Sequence, residues 1–252
     1  MLLPLLYAIL DAACFPVKSD LLAAAEELVS AGVTLIQYRN KSGNPRVMLE
    51  QAWELRRLFG PHPLAKDAKA GDIETKNPQV SQNQRDMGHP AKNAKLGWTT
   101  QSRAGVPAPH ELRLIMNDRA DLCLAAEFDG VHVGQEDLSP ESVRGIIGAG
   151  CWLGVSTHNP EQMLEADRTS ADYLAIGPVF ATSSKEKPDP VVGLEGVRRA
   201  RALTRKPLVA IGGITRANAA SVLEAGADSV AVISDLLREP GKSAEAFFRV
   251  LR

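Results

Sequence analysis

A short apolar run followed by a helical stripe recurs along this 252-residue chain, and that alternation limits the fold more than any single motif. Strand-like runs are expected at Leu5–Leu10, 33–38, Leu112–Met116, Gly130–Val133, Trp152–Val155, Tyr173–Ile176, Leu208–Ile211 and Ser229–Ile233. Helical stripes are expected at Asp20–Ser30, Pro45–Leu58, Arg119–Glu127, Pro140–Ile147, Pro160–Ala166, Leu194–Leu203, Ala217–Ala225 and Ala244–Leu251. Eight strand–helix units with parallel strands can close into a barrel, so the expected class is α/β, a single (β/α)8 TIM-barrel domain. An open doubly wound sheet is the alternative, but no Gly-x-Gly-x-x-Gly follows the first strand.

The rhythm breaks between the second helix and the third strand. Residues 61–110 are rich in Lys, Asn, Gln, Asp, Gly and Pro with isolated apolar residues, a composition that cannot bury enough surface to order itself. This segment reads as a flexible insertion in an αβ loop, on the barrel face opposite an active site. His62, His89 and His110 lie in or beside it, too irregularly spaced for a metal site. Cys14, Cys123 and Cys151 have no zinc spacing and are too few for a disulfide framework, so buried free thiols in a reducing cytoplasm are expected. A net charge of −1 argues against a nucleic-acid partner. The first apolar run is interrupted by Pro4 and Asp11, too short to span a membrane, and reads as a strand.

Polar residues gather where strands end. In the run from Val33 to Lys41, Gln37, Arg39 and Lys41 fall on one face at the strand period of two, placing an amide and two cations at one point. That set suits a phosphate or pyrophosphate, although a solvated strand end would look the same. Asn117 and Asp118 end the third strand, and Asp137 follows the fourth. The two carboxylates could meet at the rim and hold Mg²⁺ with waters and phosphate oxygens, or serve only as turn and cap residues. Ser156 and Thr157 end the fifth strand, and Thr182-Ser-Ser-Lys185 is a polar loop with one cation after the sixth. Gly212 and Gly213 end the seventh strand, and Ile233 and Ser234 the eighth. The loops after strands seven and eight are the common phosphate site of a (β/α)8 barrel; a tight turn is the plainer account of the glycines.

Taken in order, Gln37-Tyr-Arg-Asn-Lys41, Asn117-Asp118, Gly130-Val-His-Val-Gly-Gln-Glu-Asp137, Gly154-Val-Ser-Thr157, Gly177-Pro-Val-Phe, Ile211-Gly-Gly-Ile214 and Val232-Ile-Ser234 resemble the thiamine phosphate synthase family. The resemblance covers nearly all the chain outside the insertion. It implies a cytoplasmic transferase that joins 4-amino-2-methyl-5-hydroxymethylpyrimidine diphosphate to 4-methyl-5-(2-phosphoethyl)thiazole, giving thiamine phosphate and pyrophosphate. It is compatible with a homodimer. Gln37, Arg39 and Lys41 would bind the pyrimidine diphosphate, with Tyr38 and Asn40 in the same substrate-contacting run and Asn117, Ser156 and Lys185 completing the site. Asp118 and Asp137 would hold Mg²⁺. Thr182, Ser184, Gly213, Ile233 and Ser234 would bind the thiazole phosphate, with Ser183 in the same loop. The family loop usually reads Pro-Thr-x-Thr-Lys, whereas this chain has Ala181-Thr-Ser-Ser-Lys185, so Ser184 keeps the hydroxyl but lacks a methyl group.

The resemblance also implies a dissociative reaction in which pyrophosphate leaves before the thiazole nitrogen captures a pyrimidine-methyl cation. Arg39, Lys41 and Lys185 would then act catalytically by stabilising growing negative charge. No side-chain nucleophile is required, so His132 reads as a strand residue and His158 as a loop or helix-start residue. A thiazole tautomerase-like isomerase on the same barrel and a non-catalytic phosphate-ligand sensor are the rival readings.

Overall fold

In the computed structural model, which describes residues 2–60, 112–182 and 189–251, eight parallel strands close into a barrel in chain order. They are β1 (Leu6–Asp11), β2 (Leu35–Arg39), β3 (Arg113–Asn117), β4 (Gly130–Val133), β5 (Trp152–Thr157), β6 (Tyr173–Ile176), β7 (Leu208–Ile211) and β8 (Ser229–Val232). β8 returns to β1 with Leu6 opposite Val230 and Ala8 opposite Val232, which leaves no sheet edge exposed. The helices are α1 (Lys18–Ser30), α2 (Pro45–Phe59), α3 (Ala120–Ala125), α4 (Pro140–Ile147), α5 (Pro160–Asp167), α6 (Gly193–Leu203), α7 (Ala219–Glu224), α8 (Ser234–Leu237) and α9 (Pro240–Val250).

Local chemistry sets several helix starts. Asn44, Ser139 and Asn159 accept hydrogen bonds from the backbone N–H groups of Val47, Ser142 and Gln162, and a proline follows each cap. Proline also opens α9 at Pro240, four positions before the start expected from the apolar stripe. The four-residue α8, directly after β8, was not among the expected elements, because a single turn carries no periodic signal.

The strand period divides the core. Tyr7, Ile9, Leu35, Ile115, Tyr173, Ala175, Val209 and Ala231 pack inside the barrel, while a larger apolar cluster fills the layer between sheet and helices. The guanidinium of Arg113 stacks 4.2 Å from the Trp152 ring centroid. Tyr38 lies in the outer layer, edge-on to Phe128, and donates its hydroxyl to Gln51 on α2.

At the amino-terminal ends of the strands one device recurs. Asp129, Asp172 and Asp228 each precede an even-numbered strand, and each grips a single leucine of the preceding strand by both backbone groups. The Asp N–H donates to the carbonyl of Leu114, Leu153 or Leu208, and the carboxylate accepts that leucine's N–H at 2.7, 2.7 and 2.8 Å. An arginine from the helix that precedes the first strand of each pair (α2, α4 or α6) completes each clamp: Arg56 to Asp129 at 2.8 Å, Arg144 to Asp172 at 2.6 Å and Arg201 to Asp228 at 2.8 Å. The same guanidinium groups donate to the carbonyls of Gly60, Gly148 and Thr204 at the ends of their own helices. Each clamp therefore ties a strand start, the next strand and a helix terminus together.

All three cysteines are free, but the expectation that all are buried fails: Cys14 is exposed, because it sits in a single 3-10 turn at the rim beyond β1. Cys123 is buried, with its thiol 3.2 Å from the Gly130 carbonyl, and Cys151 is partly covered. The insertion expected at 61–110, with His62, His89 and His110, lies outside the described residues. Its attachment points, the end of α2 and the start of β3, belong to the amino-terminal end of the sheet.

The clamps differ in burial: the Arg56 and Asp129 side chains are 10% and 4% exposed, those of Arg201 and Asp228 29% and 48%. Arg56→Ala leaves a buried carboxylate without its cation and is expected to cost about 3–5 kcal/mol. Arg201→Ala is expected to cost about 1 kcal/mol or less, since water screens its partner. Urea unfolding of both variants against the parent chain checks the ranking.

Candidate active site

At the carboxyl-terminal rim, the loops after β2, β3 and β4 converge. Lys41 forms an ion pair with Asp118, although their side chains are 55% and 20% exposed and 77 positions apart. Asp118 follows β3 with φ +61°, a conformation that Asp tolerates better than most residues, and its N–H donates 2.8 Å to the His132 carbonyl. Its carboxylate turns toward Lys41 and Asp137, and does not cap α3. The Asp137 carboxylate accepts the Gly134 N–H at 2.8 Å. Burial raises its pKa, and the adjacent Asp118 charge and hydrogen bond raise it further, against the pull of the Gly134 amide and Lys41. Two carboxylates from neighbouring loops thus crowd one point beside a lysine.

Arg39, at the end of β2, is opposite Asp11 at the end of β1, and the two form an ion pair with Asp11 buried. Asp11 also accepts the Ala13 N–H at 3.1 Å. The two cations expected to converge are therefore each held by a carboxylate. Within the expected run, two residues do not face the rim. Tyr38 points the opposite way from Gln37 and Arg39, as strand alternation requires, and burial pushes its pKa to about 12. Asn40 is buried, donating to the Tyr38 hydroxyl and Gln51 while accepting the Ser42 N–H, so it braces the loop after β2.

Gln37 enters the barrel and donates 2.9 Å to the Tyr7 hydroxyl. Tyr7 meets Tyr173 at 2.9 Å, the Tyr173 hydroxyl is 3.1 Å from His132 Nδ1, and His132 Nε2 is 2.8 Å from Ser156 Oγ. Gln37 and Ser156, named from the sequence, are thus joined through residues that the sequence reading left unassigned or gave only a structural place. Strand parity carried the missing signal: His132 is registered with Asn117 and with Gly154, so its ring faces inward. Asn117 is buried on the same face of β3. Gln135, also unforeseen, donates 2.6 Å to the Ser156 carbonyl and ties the loop after β4 to β5.

The turn after β7 demands glycine. Gly212 and Gly213 have φ +95° and +65°, and a Cβ on Gly213 would lie 2.5 Å from the Ala181 carbonyl oxygen. Val179 and Phe180 donate to the carbonyls of Ile211 and Gly212, which brings the segment leading to Thr182 against this turn. Ile233 packs against the interior cluster, and α8 begins at Ser234 immediately beside it. Ser183, Ser184 and Lys185 lie outside the described residues. His158 Nδ1 is 2.6 Å from the Gly177 carbonyl and Nε2 is 3.5 Å from Asp189, across the base of that loop.

Full burial pushes the His132 pKa from 6.5 down to about 4, the Asp137 charge opposing only weakly. The neutral ring is the folded form, so its contribution is fully present above pH 6.5 and is lost as pH falls toward 4. The shift corresponds to about 3 kcal/mol, lost in full only below pH 4, where the folded ring is protonated too. His132→Gln is expected to flatten stability against pH across that interval, relative to the parent chain, in denaturant titrations at a series of pH values.

A thiamine monophosphate synthase family model matches residues 92–236. Among curated relatives, the thiamine-phosphate synthase of Koribacter versatilis is 48% identical over 252 residues, covering 99% of this chain and 96% of the relative. That of Chloroflexus aurantiacus is 37% identical, covering 96% and 88%. Among solved structures, thiamine phosphate pyrophosphorylase from Pyrococcus furiosus superposes with a TM-score of 0.69 at 26% identity, covering 98% of this chain and 95% of the other. With the barrel closed and the rim residues in these positions, the chain belongs to the thiamine monophosphate synthase family.

Proposed function

We propose that this chain is a working thiamine-phosphate synthase, a transferase that moves the pyrimidine-methyl group of 4-amino-2-methyl-5-hydroxymethylpyrimidine diphosphate onto the nitrogen of 4-methyl-5-(2-phosphoethyl)thiazole. The observation that carries the reading is the convergence of Lys41, Asp118 and Asp137 from three successive loops, at the end of the barrel where Arg39 pairs with Asp11. In this reading the pyrimidine ring sits over Gln37, Asn117 and Ser156, and its diphosphate extends toward Arg39, Lys41 and Lys185. The thiazole phosphate lies against the Gly212–Gly213 turn, Thr182, Ser184 and the start of α8 at Ile233 and Ser234. Backbone N–H groups in such a turn approach an anion closely.

The chemistry needs no acid or base. The bond from the pyrimidine methylene carbon to the diphosphate oxygen breaks, and its electron pair leaves with pyrophosphate. The lone pair of the thiazole nitrogen then forms the new carbon–nitrogen bond. In this reading Arg39 and Lys41 contact the oxygens on which charge grows, so they favour the transition state over the ground state. The engaged ring nitrogens of His132 and its depressed pKa fit a reaction without proton transfer, and they disfavour an isomerase that would need a free base here.

Asp118 and Asp137 suit Mg²⁺. They are hydrogen-bonded neighbours whose mutual repulsion a divalent cation would relieve. Two carboxylates would supply only part of a Mg²⁺ shell, and water with diphosphate oxygens would complete it. When bound, the ion would supply Lewis-acid neutralisation of the leaving pyrophosphate.

Incubation of the purified chain with both substrates is expected to yield thiamine phosphate and pyrophosphate only when Mg²⁺ is present. Lys41→Ala and Asp118→Ala are each expected to lower kcat roughly 10²-fold while circular dichroism stays unchanged. A folded, metal-supplied chain that makes no product would exclude the synthase reading.

A further inference from the structure

The chain of hydrogen bonds inside the barrel has a direction. Gln37 Nε2 can only donate, so the Tyr7 oxygen accepts from it at 2.9 Å. Tyr7 is fully buried, and the Tyr173 hydroxyl is the acceptor within reach of its proton among the described residues. Tyr173, having accepted that proton, turns its own toward His132 Nδ1. A neutral ring that accepts at Nδ1 carries its hydrogen on Nε2 and donates it to Ser156 Oγ at 2.8 Å. The opposite sense would send two donors to Tyr7 and leave a buried O–H without an acceptor, which folded proteins avoid.

We propose that Tyr7, Tyr173 and His132 are positioning residues that set the hydrogen-bond polarity of the ring-binding floor, so that Gln37 offers an acceptor oxygen and Ser156 a donor hydroxyl to the bound heterocycle. The inference rests on the synthase reading for its ligand, though not for its geometry. An acceptor beside a donor is complementary to a ring edge that carries an exocyclic amino group next to a ring nitrogen, as an aminopyrimidine does. The tyrosines touch no substrate in this arrangement; they act through Gln37 and His132.

Gly154 gives the arrangement an independent support. A Cβ on Gly154 would stand 2.2 Å from Tyr173 Cζ, 2.4 Å from the Tyr173 hydroxyl and 2.4 Å from His132 Nδ1. It would occupy the hydrogen bond between the two residues. The absent side chain on β5 is the space in which Tyr173 and His132 meet.

Two measurements test the proposal. Long-range ¹⁵N–¹H correlation spectra of the ¹⁵N-labelled full chain, with His132 assigned by comparison with His132→Gln, are expected to show a protonated Nε2 and a pyridine-like Nδ1. In Tyr173→Phe, which keeps the ring and loses the donor, the His132 tautomer is expected to become mixed. KM for the pyrimidine diphosphate should rise roughly tenfold while KM for the thiazole phosphate stays constant. Tyr7→Phe should raise the same KM through Gln37 yet leave the tautomer intact, since Tyr173 can still donate to Nδ1. An Nδ1-protonated ring in the parent chain overturns the proposal whether or not the variants fold. So does a Tyr173→Phe protein with the parent tautomer and parent KM. If the parent makes no thiamine phosphate, the ligand assignment falls, whereas the tautomer measurement still decides the direction of the chain.

Discussion

With the strand backbone taken up by the closed ladder, a polar side chain inside an eight-stranded barrel needs another inward-facing side chain or a trapped water as partner, and much of the site follows from that restriction. Tyr7 and Tyr173 bring two hydroxyls into a largely apolar layer, and each must find a partner there. Their connection to Gln37 on one side and His132 on the other carries hydrogen bonding upward to Ser156. Above that level the inward positions become charged, with Arg39 and Asp11 at the strand ends. Polarity therefore rises along the barrel axis, from Ile115 and Val209 among apolar neighbours to ion pairs at the rim. A ligand with an uncharged ring and an anionic tail matches that gradient in one orientation.

The opposite end of the barrel does different work. The Asp129, Asp172 and Asp228 clamps join β3 to β4, β5 to β6 and β7 to β8 where each pair begins. Register there dictates register at the other end, because a one-residue slip in a strand turns every inward residue outward. A shift in β4 would remove His132 from the interior and replace it with Val131 or Val133. The clamps thus bear on the active site without approaching it, and they leave the loops after the strands free to carry chemistry.

The alternation of strands and helices was legible because Val-, Leu- and Ile-rich runs and proline-marked helix starts are local signals. The rim motifs were legible as a set: Asp118 and Asp137 lie close together, as their placement after adjacent strands implied. Contacts between distant strands were harder to read. Tyr7 and Tyr173 are 166 positions apart, and nothing local marks either as an interior partner of the other. The period of two did carry information that a motif-based reading passed over, since it separates Tyr38 from Gln37 and Arg39 and sends it into the outer layer. His132 was legible as a strand residue but not as the bridge between Tyr173 and Ser156, because its role depends on a gap left by a glycine two strand positions before Ser156. The carboxylate partners of Arg39 and Lys41 escaped notice for the same reason: Asp11 and Asp118 come from different strands.

Those carboxylates change how the rim can recognise an anion. A free lysine side chain samples many rotamers, and ordering it costs conformational entropy at the moment of binding. Asp118 holds Lys41 in place and Asp11 holds Arg39, so that cost is met before a ligand arrives. The same pairing weakens the field felt by a singly charged ion, because each cation already has an anionic neighbour. Under the proposed reading, a ligand that carries several negative charges offsets that loss better than a singly charged one. A singly charged group that reaches one of these cations competes with that cation's own carboxylate, Asp11 or Asp118. Pairing at the rim therefore trades raw affinity for preorganisation.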